Sequence, residues 1–107
     1  MSFNLLIWRW SPEYADRNRQ RRKKLTHQKV ASEFMDSGSH FAIAGFDQDM
    51  FLIEIASSFP GDETDWPFVI ERYETAIVFS DGAEDRLRIV PIIGRTAMKL
   101  GLNATEA

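Results

Sequence analysis

Residues 3–10, Phe-Asn-Leu-Leu-Ile-Trp-Arg-Trp, place apolar side chains at both parities: Phe3, Leu5 and Ile7 on one, Leu6, Trp8 and Trp10 on the other. β-favouring residues and the Ser11-Pro12 stop mark the segment as a strand. Successive side chains of a strand point to opposite faces. This strand therefore needs cover on both faces, or cover on one and a partner on the other, and its expected place is the centre of a sheet.

The rest of the chain supplies helices and further strands. Thr26 is an N-cap, Val30, Ala31, Phe34 and Met35 form an apolar stripe, and Gly38 is a stop. Together they predict a helix over about His27 to Asp36, with Leu25 stapled onto Val30. The same grammar recurs with Asp47 as cap and Phe46 stapled onto Phe51, for a helix from Gln48 to Ser58. Its inward positions are Phe51, Leu52, Ile55, Ala56 and Phe59; Pro60-Gly61 ends it, and an acidic loop follows.

Residues 68–80 read as two short strands, Phe68 to Arg72 and Thr75 to Ser80, turning at Tyr73-Glu74, or alternatively as one bent strand. Asp81 and Glu84 then form a capping box for a helix whose apolar positions are Leu87, Val90, Pro91, Gly94, Ala97 and Met98, stopped by Gly101. An interior proline costs about 3 kcal/mol. Either the helix kinks at Pro91, which is the preferred reading, or Arg86 to Val90 is a strand and the helix begins at Pro91. Leu102 to Thr105 is a candidate last strand.

The order β-α-α-β-β-α(-β) fits an α+β fold, a mainly antiparallel sheet with helices packed on one face, and a ferredoxin-like arrangement is one candidate. A chain of 107 residues has room for a single core, so residues 1–107 are read as one domain. The expected core is Leu5, Ile7, Val30, Phe34, Phe51, Ile55, Ile70, Ile77, Phe79, Val90 and Ala97. Cysteine is absent, which excludes disulfides, thiolate metal sites and a cysteine nucleophile. The opening segment lacks a basic n-region and no apolar run nears the ~18 residues of a membrane span, so a cytoplasmic location is expected.

Charge is unevenly spread. The net charge is −3, yet residues 1–53 carry +2 and residues 54–107 carry −5. Most of the positive charge of residues 1–53 lies in Arg17-Asn-Arg-Gln-Arg-Arg-Lys-Lys24, where six of eight side chains are cationic. Arg17, Arg19, Arg21, Arg22, Lys23 and Lys24 can each neutralise a phosphate, with Trp8, Trp10 or Tyr14 as stacking residues. Against a nucleic-acid role, the chain is acidic as a whole, and a like-charged run without apolar spacing reads as a solvated, mobile loop.

Catalytic and metal chemistry find little support in the sequence. His27 and His40 sit at none of the metal-binding spacings, and both are expected in solvent. Ser37, Ser39 and His40 lack the strand-turn-helix surroundings of a nucleophile elbow. Carboxylates are plentiful in the second half, but paired acid–base work needs two of them in one pocket. No catalytic residue, metal or cofactor is therefore assigned.

Three segments, Met1-Ser2-Phe3-Asn4-Leu5-Leu6-Ile7-Trp8, Pro67-Phe68-Val69-Ile70-Glu71-Arg72-Tyr73 and Ala97-Met98-Lys99-Leu100-Gly101-Leu102, are similar to those of short uncharacterised bacterial proteins. Some small proteins with this kind of opening and close are immunity proteins, which bind and neutralise a cognate toxin. The usual acidic residue after the opening aromatic is here Asn4. The resemblance implies a bacterial protein-binding module.

The leading expectation is thus a non-enzymatic protein-binding module, of immunity type. Its candidate partner surface is Asp62, Glu63, Asp65, Glu71 and Glu74 with Trp66 and Tyr73 as anchors, because interface hot spots favour aromatic residues in a desolvated centre. The alternative is a nucleic-acid-associated protein using residues 17–24, and the third reading is a small-substrate enzyme with carboxylate chemistry.

Overall fold

A computed structural model describes residues 2–59, 61–82 and 86–107, the side chains of Ser2, Phe3, Glu63 and Asp81 excepted. Its elements are β1 (Ser2–Trp10), α1 (Arg17–Arg22), α2 (His27–Ser37), β2 (Ile43–Ala44), α3 (Gln48–Ala56), β3 (Val69–Arg72), β4 (Ile77–Gly82), α4 (Arg86–Lys99) and β5 (Asn103–Glu106). Single 3₁₀ turns at Pro12–Tyr14 and Glu63–Asp65 complete the order.

β1 is central, as its two apolar parities require. It pairs antiparallel with β4 (Leu5 opposite Phe79), with β5 (Leu6 opposite Thr105) and, at its far end, with β2 (Trp10 opposite Ile43). β3 adds to β4 with Arg72 opposite Ile77, and the Tyr73 N–H donates to the Ala76 carbonyl at 2.8 Å to close the hairpin. The fold is therefore α+β on a mainly antiparallel sheet, as expected.

The helices, however, do not share one face. Leu5, Ile7, Ile77 and Phe79 pack under α3 and α4 through Phe51, Ile55, Ile89, Ile93 and Ala97. Leu6, Trp8 and Val78 pack on the opposite side under α2, through Val30, Ala31 and Phe34, with Tyr14 and Leu25. The cause lies in β1, where the consecutive side chains Leu5, Leu6, Ile7 and Trp8 are all apolar and all buried, and so leave neither face of its middle free for water. The long strands follow the ferredoxin-like order β5-β1-β4-β3, but a ferredoxin-like sandwich keeps its helices on one face.

The local signals for the helices hold. The Thr26 side chain accepts from the Lys29 N–H at 3.1 Å and the Asp47 side chain from the Met50 N–H at 3.0 Å. Gly38 ends α2 at φ 77°, where its N–H reaches the Phe34 carbonyl at 2.7 Å. Of the expected core, nine residues are buried, and Ile70 and Val90 are half-buried. Trp8 is fully buried and donates its indole N–H to Thr105 Oγ1 at 3.1 Å, joining β1 to β5.

α4 runs through Pro91, so Arg86 to Val90 is helix and not a strand. Pro91 lies on the exposed side of the helix, where water can reach the carbonyl that its ring leaves without an N–H donor. Asp81, expected to cap this helix, instead lies in β4 opposite Phe3, because the strand continues to Gly82; Glu84 falls outside the described residues.

Candidate functional site

Most of the basic run, Arg17–Arg22, forms a helix and not the loop expected from the sequence. Asp16 caps α1 by accepting from the Asn18 N–H at 2.8 Å, and the cations at positions 19, 21 and 22 fill the last turn, where the helix dipole favours them. Gln20 supplies the anchor: its side chain donates to the Tyr14 carbonyl at 2.7 Å, and its own carbonyl accepts from the Leu25 N–H at 2.8 Å. Lys24 then turns the chain into α2 with φ 55°, a left-handed conformation uncommon for a residue with a Cβ. All six cations are exposed, and among the described residues none of them is ion-paired.

The acidic group is divided. Trp66 joins the core on the α3/α4 face, donating its indole N–H to the Phe59 carbonyl at 3.1 Å. Tyr73 packs edge-on against Phe34 on the α2 face, with ring centroids 5.2 Å apart. The two anchors are thus separated by the sheet and by the length of β3. Asp62 and Asp65 are exposed near Trp66; Glu71 and Glu74 are exposed near Tyr73. The Tyr73 hydroxyl donates to Glu71 Oε2 at 3.1 Å, and this bond, with burial and the Glu71 charge adding to it, holds the phenol above the ordinary tyrosine value.

Other carboxylates are dispersed among different cations: Asp49 with Arg72, Glu54 with Lys99, and Glu106 with Arg86. Among the described residues no three His, Asp or Glu side chains converge as a metal site, and no helix is long and apolar enough to cross a membrane.

His40 departs from expectation. Its side chain is only 4% exposed; Nδ1 accepts from the Ala42 N–H at 3.1 Å, and Nε2 lies 3.5 Å from Glu33 Oε1. His27 is exposed but leans edge-on against Trp8 and Trp10 at 5.4 and 5.6 Å.

The feature least explained by stability is the outer surface of the α3/α4 layer. Of the six large exposed apolar side chains among the described residues, four lie there: Met50, Ile53, Leu87 and Met98. Of the expected apolar positions Leu87, Val90, Pro91, Gly94, Ala97 and Met98, Ala97 is buried and Val90 half-buried, while Ile89 and Ile93 take the rest of the inward face. At 100° per residue, Leu87, Pro91, Gly94 and Met98 instead form one straight stripe about 120° away from the buried one. Leu87 is 89% and Met98 79% exposed.

Between the two helices runs a groove. A cleft of about 340 Å³ (Ser58, Phe59, Asp65, Trp66, Pro67, Arg88, Ile92) continues into one of about 250 Å³ that shares Ser58 and Ile92 and reaches Arg95, Lys99 and Glu54. The α4 wall of this groove is cationic. Trp66 therefore sits beside basic groups as well as acidic ones, which composition alone does not reveal.

No protein-family model matches the chain, and neither does any curated protein or solved structure.

Proposed function

We propose that the chain is a protein-binding module and that the outer face of α4 is its principal contact surface. The observation that supports this reading is the stripe of exposed Leu87, Pro91 and Met98 around half-buried Gly94, which adds a second apolar face to a helix already buried on its first. Monomers rarely leave such a face without a use. Its 4-3-4 spacing suits the seam of a partner helix, with Gly94 as the hole that admits a large side chain.

The flank of the stripe carries Arg88 and Arg95, so a partner helix with acidic residues beside its apolar seam fits best. A second copy fits less well. In an antiparallel self-pair Leu87 would face Met98 and Pro91 would face Gly94, but Arg88 would meet Arg95 of the other copy.

The resemblance of the opening, hairpin and close to short bacterial proteins, some of them immunity proteins, makes a cognate toxin the first partner to test. Co-expression with the product of the neighbouring gene is the direct assay: the wild-type chain should restore growth, and Leu87→Asp/Met98→Asp should not, at unchanged melting temperature. A harmless neighbouring product would remove the immunity-type reading, and rescue by the double variant would remove the α4 face.

A further inference from the structure

A second surface, on the opposite side of the sheet, has a different chemistry. The α1 cations and the turn before them enclose a cleft of about 230 Å³ lined by Glu13, Tyr14, Arg19, Arg22 and Lys23. Tyr14 is itself buried, but Phe41 lies edge-on to it with ring centroids 5.4 Å apart and is 62% exposed. One side of the Phe41 ring is backed by His40, stacked at 4.6 Å, and His40 is fixed in turn by the Ala42 N–H.

An exposed aromatic ring is thus held against a rigid support, one ring away from Arg19, Arg22 and Lys23, which line the cleft beside Tyr14 and have no ion-pair partners among the described residues. Stacking platform plus cationic track is the combination that binds single-stranded nucleic acid, since every base has a face to stack and every link a phosphate. The residues first suited to stacking by sequence do not serve: Trp8 is fully buried, Tyr14 nearly so, and Trp10 is half-covered. Phe41 carries no sequence signal, because its exposure depends on the loop after α2 bringing it against Tyr14.

We infer that α1 and Phe41 form a binding site for single-stranded nucleic acid, the cations taking backbone phosphates and Phe41 stacking one base. An acidic protein segment would use the cations but gain little from the ring. Glu13 at the rim and the chain's net charge of −3 limit the attraction to this one face.

Fluorescence anisotropy with a labelled oligothymidylate of about 15 nucleotides tests this, beside a poly-glutamate of similar length. Binding is expected at low salt, with log affinity falling against log salt at a slope of about −2 for the three cleft cations on a single strand, and more steeply where Arg17, Arg21 and Lys24 add contacts. Arg21→Glu/Arg22→Glu should weaken binding and flatten that slope. Phe41→Ala should weaken binding by about fivefold or more with the slope unchanged, and Phe41→Trp should restore it. Because Phe41 is largely exposed, these variants should melt like the wild type. Failure to bind oligothymidylate at low salt, or poly-glutamate binding as tightly with Phe41→Ala indifferent, would overturn the inference and in the second case assign the surface to an acidic protein.

Discussion

Phe51 and Ile53 are two residues apart on α3 and have opposite fates, which makes them a test of how the helix sits. Phe51 is fully buried, with ring centroids 6.0 Å from Phe79 and 6.3 Å from Phe46. Truncating it removes a ring from between the helix and the sheet and leaves a cavity, at a cost of about 3–5 kcal/mol. Against a total stability of about 5–15 kcal/mol this is a large fraction. With a urea dependence of about 2 kcal/mol per molar, the unfolding midpoint of Phe51→Ala should drop by about 2 M. Ile53 is 71% exposed, and Ile53→Ala should change stability by no more than about 0.5 kcal/mol. Urea titrations followed by circular dichroism measure both. Equal costs at the two positions, or a loss below about 1 kcal/mol for Phe51→Ala, would refute the orientation of α3 and with it the claim that Ile53 is apolar for reasons other than stability.

Thr105→Val should strand the buried Trp8 indole N–H and cost about 1–3 kcal/mol, whereas the same change in a Trp8→Phe background should be nearly neutral; a double-mutant cycle by chemical denaturation gives the difference. Gly94→Ala should raise stability by about 1 kcal/mol, because an added Cβ meets no atom within 4 Å and alanine is the better helix former. The phenol of Tyr73 should ionise at higher pH than an ordinary tyrosine. A folded-state value raised above the unfolded one means that the folded chain holds its proton longer, so the associated stability is present below the ordinary tyrosine value and is lost as pH rises through the raised one. The difference between the ultraviolet titrations of the wild type and Tyr73→Phe should place the Tyr73 phenol above the ordinary tyrosine value, and Glu71→Gln should bring it down.

Much of the fold was legible because its signals are local. Side-chain hydroxyls and carboxylates at Thr26 and Asp47 act on N–H groups three residues on, and the two parities of residues 3–10 state the need for a covered central strand. The same parities contradicted a one-face arrangement of helices, since Leu6 and Trp8 needed a cover that only a helix on the second face provides. β2 was missed because two residues, Ile43 and Ala44, are too few to show a period. α1 was missed because its folding depends on Gln20 reaching Tyr14, a contact that charge counting does not see.

The candidate site was less legible for a related reason. The segment Leu87-Arg-Ile-Val-Pro-Ile-Ile-Gly-Arg-Thr-Ala-Met98 contains two apolar stripes of helical spacing, and periodicity cannot say which one meets the sheet. The packing of Ile89 and Ile93 on Ile7 and Phe79 decides it and releases Leu87 and Met98 to solvent. Likewise Trp66 and Tyr73, close in sequence, were expected to anchor one patch; the sheet between them makes two.

The central claim is that the exposed face of α4 exists to hold another protein. Its most direct test is purification of the chain from its native host at endogenous level, with wild type and Leu87→Asp/Met98→Asp compared side by side. A protein partner retained in near-stoichiometric amount by the wild type and lost by the equally stable variant is the predicted result. Retention of the same partner by the variant, or a chain that purifies alone and turns over a small molecule, would contradict it.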